Sequence, residues 1–175
     1  MNVINFENPK SCFIYFSVGR LSEEKSKLAI VLTKDKNSKV IVDKKITYID
    51  NGELGFNQYS VGLRALYHTL NYVKELRALY KTINIGIQNQ VLFEWISNKE
   101  AKEDYSEDFD SCINLLEELS NGSTKIVLHL ISKNENIAKK FSKCNVNDSF
   151  QVKQKEFVYI ANNSSQNKSV SIKLR

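Results

Sequence analysis

Apolar residues fall into two kinds of pattern along this chain. Compact runs rich in aromatic and β-branched residues occupy 11–16 (SCFIYF), 28–33 (LAIVLT), 82–87 (TINIGI) and 125–131 (KIVLHLI), and read as buried strands. A charge-interrupted run over 39–49 adds another. It follows the polar turn Asp35-Lys36-Asn37-Ser38, which is short enough to make it an antiparallel hairpin with the run before it. The second pattern is helical. Tyr59, Leu63, Leu66, Leu70, Val73 and Leu76 recur at steps of three and four, which puts them on one face and leaves Arg64, His68, Asn71, Lys74 and Glu75 elsewhere.

Shorter helical signals follow. Residues 91–96 (VLFEWI) read as the first turns of a helix, and the acidic run 100–110 leads into Ile113, Leu116 and Leu119, with acids suited to the positive end of a helix dipole. Asn121-Gly122-Ser123 ends that helix, and residues 134–144 predict a short last one through Ile137 and Phe141. The resulting order is three strands, helix, strand, helix, helix, strand, helix. Three antiparallel strands followed by alternating helices and strands predict a mixed five-stranded sheet flanked by helices, an α/β fold with right-handed crossovers.

After Cys144 the pattern alternates at 150–160, turns polar at 162–168 and alternates again at 169–174. We read residues 1–144 as the main domain and 145–175 as an added C-terminal β-hairpin packed on it.

Composition narrows the classes. The chain has 175 residues, 42% hydrophobic and 26% charged, with 6 glycines and 1 proline, values that suit one folded domain and exclude collagenous, linker-rich and globally disordered chains. Cys12, Cys112 and Cys144 are odd in number and widely spaced, which suits buried thiols rather than disulfides or zinc ligands. The N-terminus lacks a basic segment followed by an apolar one, and no apolar run approaches a bilayer span, so a soluble cytoplasmic protein without membrane contact is expected.

Two segments bring in a family. Asn57-Gln58-Tyr59-Ser60-Val61-Gly62-Leu63-Arg64-Ala65-Leu66 is similar to the first-helix signature of ribonuclease H-like proteins, Asn-x-x-Glu-Leu-x-Ala-Leu. Asn134-Glu135-Asn136-Ile137-Ala138 resembles their closing Asn-x-x-x-Asp segment. The order of elements over residues 11–144 matches as well. This resemblance implies a sheet ordered 3-2-1-4-5 and a chemistry in which two Mg²⁺ ions, held by converging carboxylates, cleave a phosphodiester.

The positions that the resemblance assigns to those carboxylates are neutral here: Ser17 in the first strand, Gly62 in the first helix, Gln88 after the fourth strand and Ala138 in the last helix. No acid lies within two residues of Ser17, Gly62 or Gln88, and Glu135 is the nearest to Ala138. The expectation is therefore a degenerate domain with no metal ligands, no catalytic residues and no cofactor. An active nuclease with relocated ligands is the least favoured alternative.

The remaining chemistry is that of surfaces. His68 and His129 have no nucleophile or acid at a telling distance, and no glycine-rich phosphate loop is present. Residues 93–119 are strongly acidic and 133–175 strongly basic within a net charge of +5. Lys139, Lys140, Lys143, Lys153 and Lys155 could follow a phosphate backbone, or could be ordinary solvated surface. The resemblance implies that Gln58, Tyr59, Asn89 and Gln90 face RNA, DNA or an RNA:DNA hybrid, with amides for ribose and phosphate oxygens and an aromatic ring for bases. The competing class is a protein-interaction scaffold that uses the acidic segment 100–110 or the hairpin.

Overall fold

The computed structural model describes residues 11–144. The hairpin expected over 145–175, with Lys153 and Lys155, lies outside the described residues. Five strands form one sheet: β1 (Ser11–Arg20), β2 (Lys25–Thr33), β3 (Ile41–Asp50), β4 (Thr82–Ile87) and β5 (Lys125–Leu130), in the order β3-β2-β1-β4-β5. β1 and β3 run antiparallel to β2, whereas β4 runs parallel to both β1 and β5. The helices are α1 (Gln58–Leu76), α2 (Gln90–Asn98), α3 (Ser106–Ser120) and the short α4 (Lys139–Ser142), with a 3-10 turn at Glu103–Tyr105 ahead of α3. The mixed sheet and its order are those expected from the chain's patterning and resemblance.

The sheet is packed on both faces, which explains why its strands read as continuous apolar runs. Cys12, Ile14 and Phe16 of β1, Leu28, Ile30 and Leu32 of β2, and Ile83, Ile85 and Ile87 of β4 share one core with the inner faces of α1 and α3. The intervening residues Phe13, Tyr15, Ala29 and Val31 point the other way, into a smaller core closed by Ile131 and Ala138, with Ile137 and Phe141 against it. Among the described residues no helix is long and apolar enough to cross a membrane.

Two boundaries differ from expectation. β1 continues to Arg20 and β2 begins at Lys25, because the polar ends of this hairpin find partners: Ser26 donates to Asn51 Oδ1 at 2.5 Å, and Lys27 Nζ donates to the Lys143 carbonyl at 3.1 Å. Hydropathy marks only the apolar part of such a strand. The last helix shrinks from the expected 134–144 to four residues. Asn136 accepts the Ala138 N–H at 3.2 Å, an Asx-type bond that competes with helix formation.

Two acids that hydropathy places on charged strand faces are engaged. Tyr72 donates to Asp43 at 2.5 Å and Lys25 pairs with Asp50 at 2.7 Å. Cys12 and Cys112 are free buried thiols. Burial pushes the Cys12 thiol up to about 12.

Candidate functional site

Because β1 and β4 are parallel, their C-terminal ends open side by side, the place where an α/β sheet commonly leaves a crevice. α1 begins above this edge. Asn57 caps it by accepting the Tyr59 and Ser60 N–H groups at 2.9 and 3.2 Å, while its Nδ2 donates to the Tyr105 hydroxyl at 3.0 Å. α2 starts directly after β4, with Asn89 accepting the Leu92 N–H at 3.2 Å. These two caps fix the walls of a cavity of about 480 Å³ lined by Ser17, Gln58, Tyr59, Gly62, Gln88 and Asn136 among others.

Three of the four expected neutral positions therefore meet in one place. Ser17, Gly62 and Gln88 line the cavity, with Gln58, Tyr59, Asn89 and Gln90. Ala138 does not: its side chain is fully buried in the smaller core. The closing segment reaches the cavity through Asn136 instead, a residue that spacing could not single out from Asn134 two positions earlier.

Asn136 is the centre of the site's hydrogen bonding. Its Nδ2 donates to the Phe16 carbonyl at 2.9 Å and to Gln88 Oε1 at 3.1 Å, while its Oδ1 accepts from Ala138. The Phe16 carbonyl can only accept and the Ala138 N–H can only donate, so the amide has one orientation. Gln88 must then offer its oxygen to Asn136 and keep its own NH₂ for another partner. On the far side, the Ser142 hydroxyl donates to Ser17 Oγ at 3.0 Å.

Gly62 has a packing explanation. A Cβ built there would overlap Leu92 Cδ1, so the absent side chain makes room for a buried leucine from α2. The close neighbour at this interior helix glycine is a side chain rather than backbone.

Tyr59, which lines the cavity, belongs to an aromatic cluster. Tyr59 lies against Trp95 (centroids 5.5 Å apart, tilted 45°) and edge-on to Tyr105 (5.7 Å, 75°), and Trp95 meets Tyr105 at 5.3 Å. All three rings are half-buried. Sequence reasoning missed Trp95 and Tyr105, since helical spacing reads Trp95 as core and Tyr105 sits inside an acidic run.

The donor set does not fit a magnesium pair. Mg²⁺ favours anionic oxygens, whereas the polar groups lining the cavity are hydroxyls and carboxamides, two of which already spend oxygens on Asn136 and Leu92. Among the described residues no group of three or more His, Cys, Asp or Glu side chains is arranged to hold a metal ion.

Charge is divided between two sides. Lys140 and Lys143 are exposed and Lys139 is half-buried beside them. Lys133 holds the Lys139 ammonium below the usual lysine range, through a side-chain hydrogen bond first, then partial desolvation, then the charges of Lys133 and Lys143. Lys44 and Lys140 sit over the Phe141 ring at 4.4 and 4.9 Å. On the other side, Glu24, Asp50, Glu53, Asp104, Glu107 and Asp108 line a second cavity of about 470 Å³ around Arg64. Arg64 Nε donates to Asp108 at 3.2 Å and Nη1 to the Asp50 carbonyl at 3.3 Å.

Histidine 129 belongs to neither cavity. It shares a 2.8 Å hydrogen bond with Asn84 Oδ1 and packs against Phe13 at 5.3 Å, and burial, with Lys36 nearby, lowers its pKa.

No protein-family model matches the chain, and no curated protein matches it in sequence. Solved structures do match its fold. RNase H1 from the halophilic archaeon Halobacterium salinarum superposes with a TM-score of 0.57 at 15% identity, covering 75% of this chain and 93% of that one. The N-terminal RNase H domain of rv2228c from Mycobacterium tuberculosis gives 0.55 at 11% identity, covering 75% and 95%. LC11-RNase H1, isolated from compost and solved in complex with an RNA/DNA hybrid, gives 0.52 at 15% identity, covering 75% and 92%. The chain has the ribonuclease H-like fold.

Proposed function

We propose that this chain is a ribonuclease H-like domain that binds RNA, DNA or a hybrid duplex and does not perform two-metal hydrolysis. One observation carries the reading: at the C-terminal ends of β1 and β4 the cavity is lined by neutral hydrogen-bonding groups, and among the described residues none that lines it is a carboxylate. A two-metal mechanism needs anionic ligands to offset two dications. Binding needs only donors, acceptors and cations. Gln58, Tyr59, Asn89 and Gln90 supply the first two, and Lys139 and Lys140 of α4, with Lys143 just after it, supply charge, to which Lys153 and Lys155 add in the sequence. That LC11-RNase H1 carries an RNA/DNA hybrid supports this choice of ligand.

Fluorescence anisotropy with labelled hybrid, duplex and single-stranded oligonucleotides across a salt series tests the binding. Affinity should fall linearly in log–log form as salt rises, and affinity indifferent to salt would reject phosphate contact. Incubating a labelled hybrid with highly purified protein in Mg²⁺ or Mn²⁺ tests the chemistry. Robust turnover that co-purifies with the chain would overturn the inactive reading.

A scaffold role is the second reading, favoured by the acidic cavity around Arg64. Its partner would be a basic protein segment. Charge-reversal at Asp104 and Glu107 would abolish such a complex and leave oligonucleotide binding in place.

A further inference from the structure

Resting on the nucleic-acid reading, we infer that the cavity between β1, α1 and α2 receives a single unpaired nucleobase of the bound strand. Its chemistry suits a neutral planar heterocycle better than a phosphate. Ser17, Gln58, Gln88, Asn89 and Gln90 bring hydroxyl and carboxamide groups, the side chains that read base edges, and among the described residues no cation lines the cavity. A volume of about 480 Å³ lies within the roughly 300–1,000 Å³ range of small-molecule sites.

The interior has a polar side and an apolar one. Ile87, Val91 and Leu92 line it with aliphatic surface, and Leu92 reaches the space beside Gly62. In the lining, Tyr59 is braced by Trp95 and Tyr105, so a stacking ring is already held before any ligand arrives. Gln88 is preset too. Asn136, only 5% exposed, takes the Gln88 oxygen and leaves its NH₂ as a donor. Such a donor selects a base edge that presents a carbonyl oxygen or an unprotonated ring nitrogen. Asn136 acts here as a positioning residue, since all its own hydrogen-bonding groups are engaged.

The test uses the full chain and two duplexes of one sequence, one fully paired and one carrying a single bulged 2-aminopurine. Binding should favour the bulged duplex about tenfold, the scale of one base stacked on an aromatic side chain, and should quench the 2-aminopurine. Gln88→Leu, at an exposed position, should bring the bulged-to-paired ratio below twofold, as should Tyr59→Leu. Asn136→Ser should do so partially. Lys139→Ala and Lys140→Ala should weaken both duplexes and keep the ratio. Equal affinity for both duplexes, unchanged fluorescence, or a ratio unmoved in Gln88→Leu would overturn the inference while leaving the nucleic-acid reading intact. Failure to bind either duplex would overturn both. Competition by free nucleoside monophosphates at the affinity of the bulged duplex would reject a strand-borne base as the occupant.

Discussion

Leu92 occupies the space that a side chain at Gly62 would need. The two residues belong to α2 and α1, so the glycine sets how closely these helices meet beside the cavity. Gly62→Ala should gain about 1 kcal/mol of helix propensity and lose roughly 1–3 kcal/mol to overpacking. The net result should be destabilising. In a Leu92→Ala background the overpacking disappears and the same substitution should stabilise by about 1 kcal/mol. Urea midpoints for the four proteins close the cycle, and equal effects in both backgrounds would contradict the packing relationship.

Removing the Asn136 side chain strands two polar groups. Asn136→Ala leaves the Phe16 carbonyl and the buried Ala138 N–H without that partner and should cost about 1–3 kcal/mol. Asn134→Ala, two residues away and exposed, should stay within about 0.5 kcal/mol. Chemical denaturation distinguishes them. Similar losses at both positions would show that Asn136 is not the tie described.

His129 gives stability a pH dependence with a definite sign. Its folded-state pKa lies below the ordinary 6.5, chiefly through burial and secondarily through Lys36. Below pH 6.5 the unfolded chain therefore takes up the proton first. The imidazole's contribution is fully present above that pH and is lost as pH falls towards the folded value. His129→Gln should flatten this part of the stability curve. The difference between the two proteins from pH 7.5 to 5, measured by urea unfolding, reads the effect, and a difference constant with pH would refute it.

The lysines near the cavity should be visible in salt dependence. Each of Lys139→Ala, Lys140→Ala and Lys143→Ala should reduce the slope of log K against log salt by about 0.7–0.9 if that ammonium meets a phosphate. Anisotropy titrations at four salt concentrations are sufficient. An unchanged slope in the triple variant would remove these residues from the nucleic-acid path.

Arg64 holds an acidic neighbourhood together. Its side chain is 12% exposed and that of Asp108 22%, so Arg64→Met leaves clustered carboxylates with less compensation. The expected loss is about 2–3 kcal/mol, discounted from the roughly 3–5 typical of a fully buried pair. Added salt should shrink it by screening the remaining acids. Unfolding at low and high ionic strength checks both parts, and a salt-independent loss would point to lost packing alone.

The sheet was legible in the sequence because strands buried on two faces leave unbroken apolar runs such as LAIVLT, and α1 was legible because its apolar face never breaks period. Ser17, Gly62 and Gln88 were brought together by the family resemblance, and the parallel pairing of β1 and β4, whose ends lie side by side, accounts for the meeting of Ser17 and Gln88. Asn136 could not. Its importance comes from a contact 120 residues away in the chain, to the Phe16 carbonyl. The same applies to Tyr105, whose ring joins Tyr59 and Trp95 only after α3 is docked. Hydropathy also mistook the closing segment for a longer helix, because Ile137 and Phe141 keep helical spacing while Asn136 diverts the backbone.

Ser142 presents its carbonyl so close to Gly19 that a methyl group at position 19 would have no room. Two residues later the chain is at Cys144, whose thiol donates to the Gly19 carbonyl at 3.7 Å. Cys144 thus lies against the strand that supplies Ser17 to the amide-lined cavity. A label carried on the Cys144 thiol would sit against Gly19, two strand positions from Ser17, and would report on occupancy where one attached beside α3 could not.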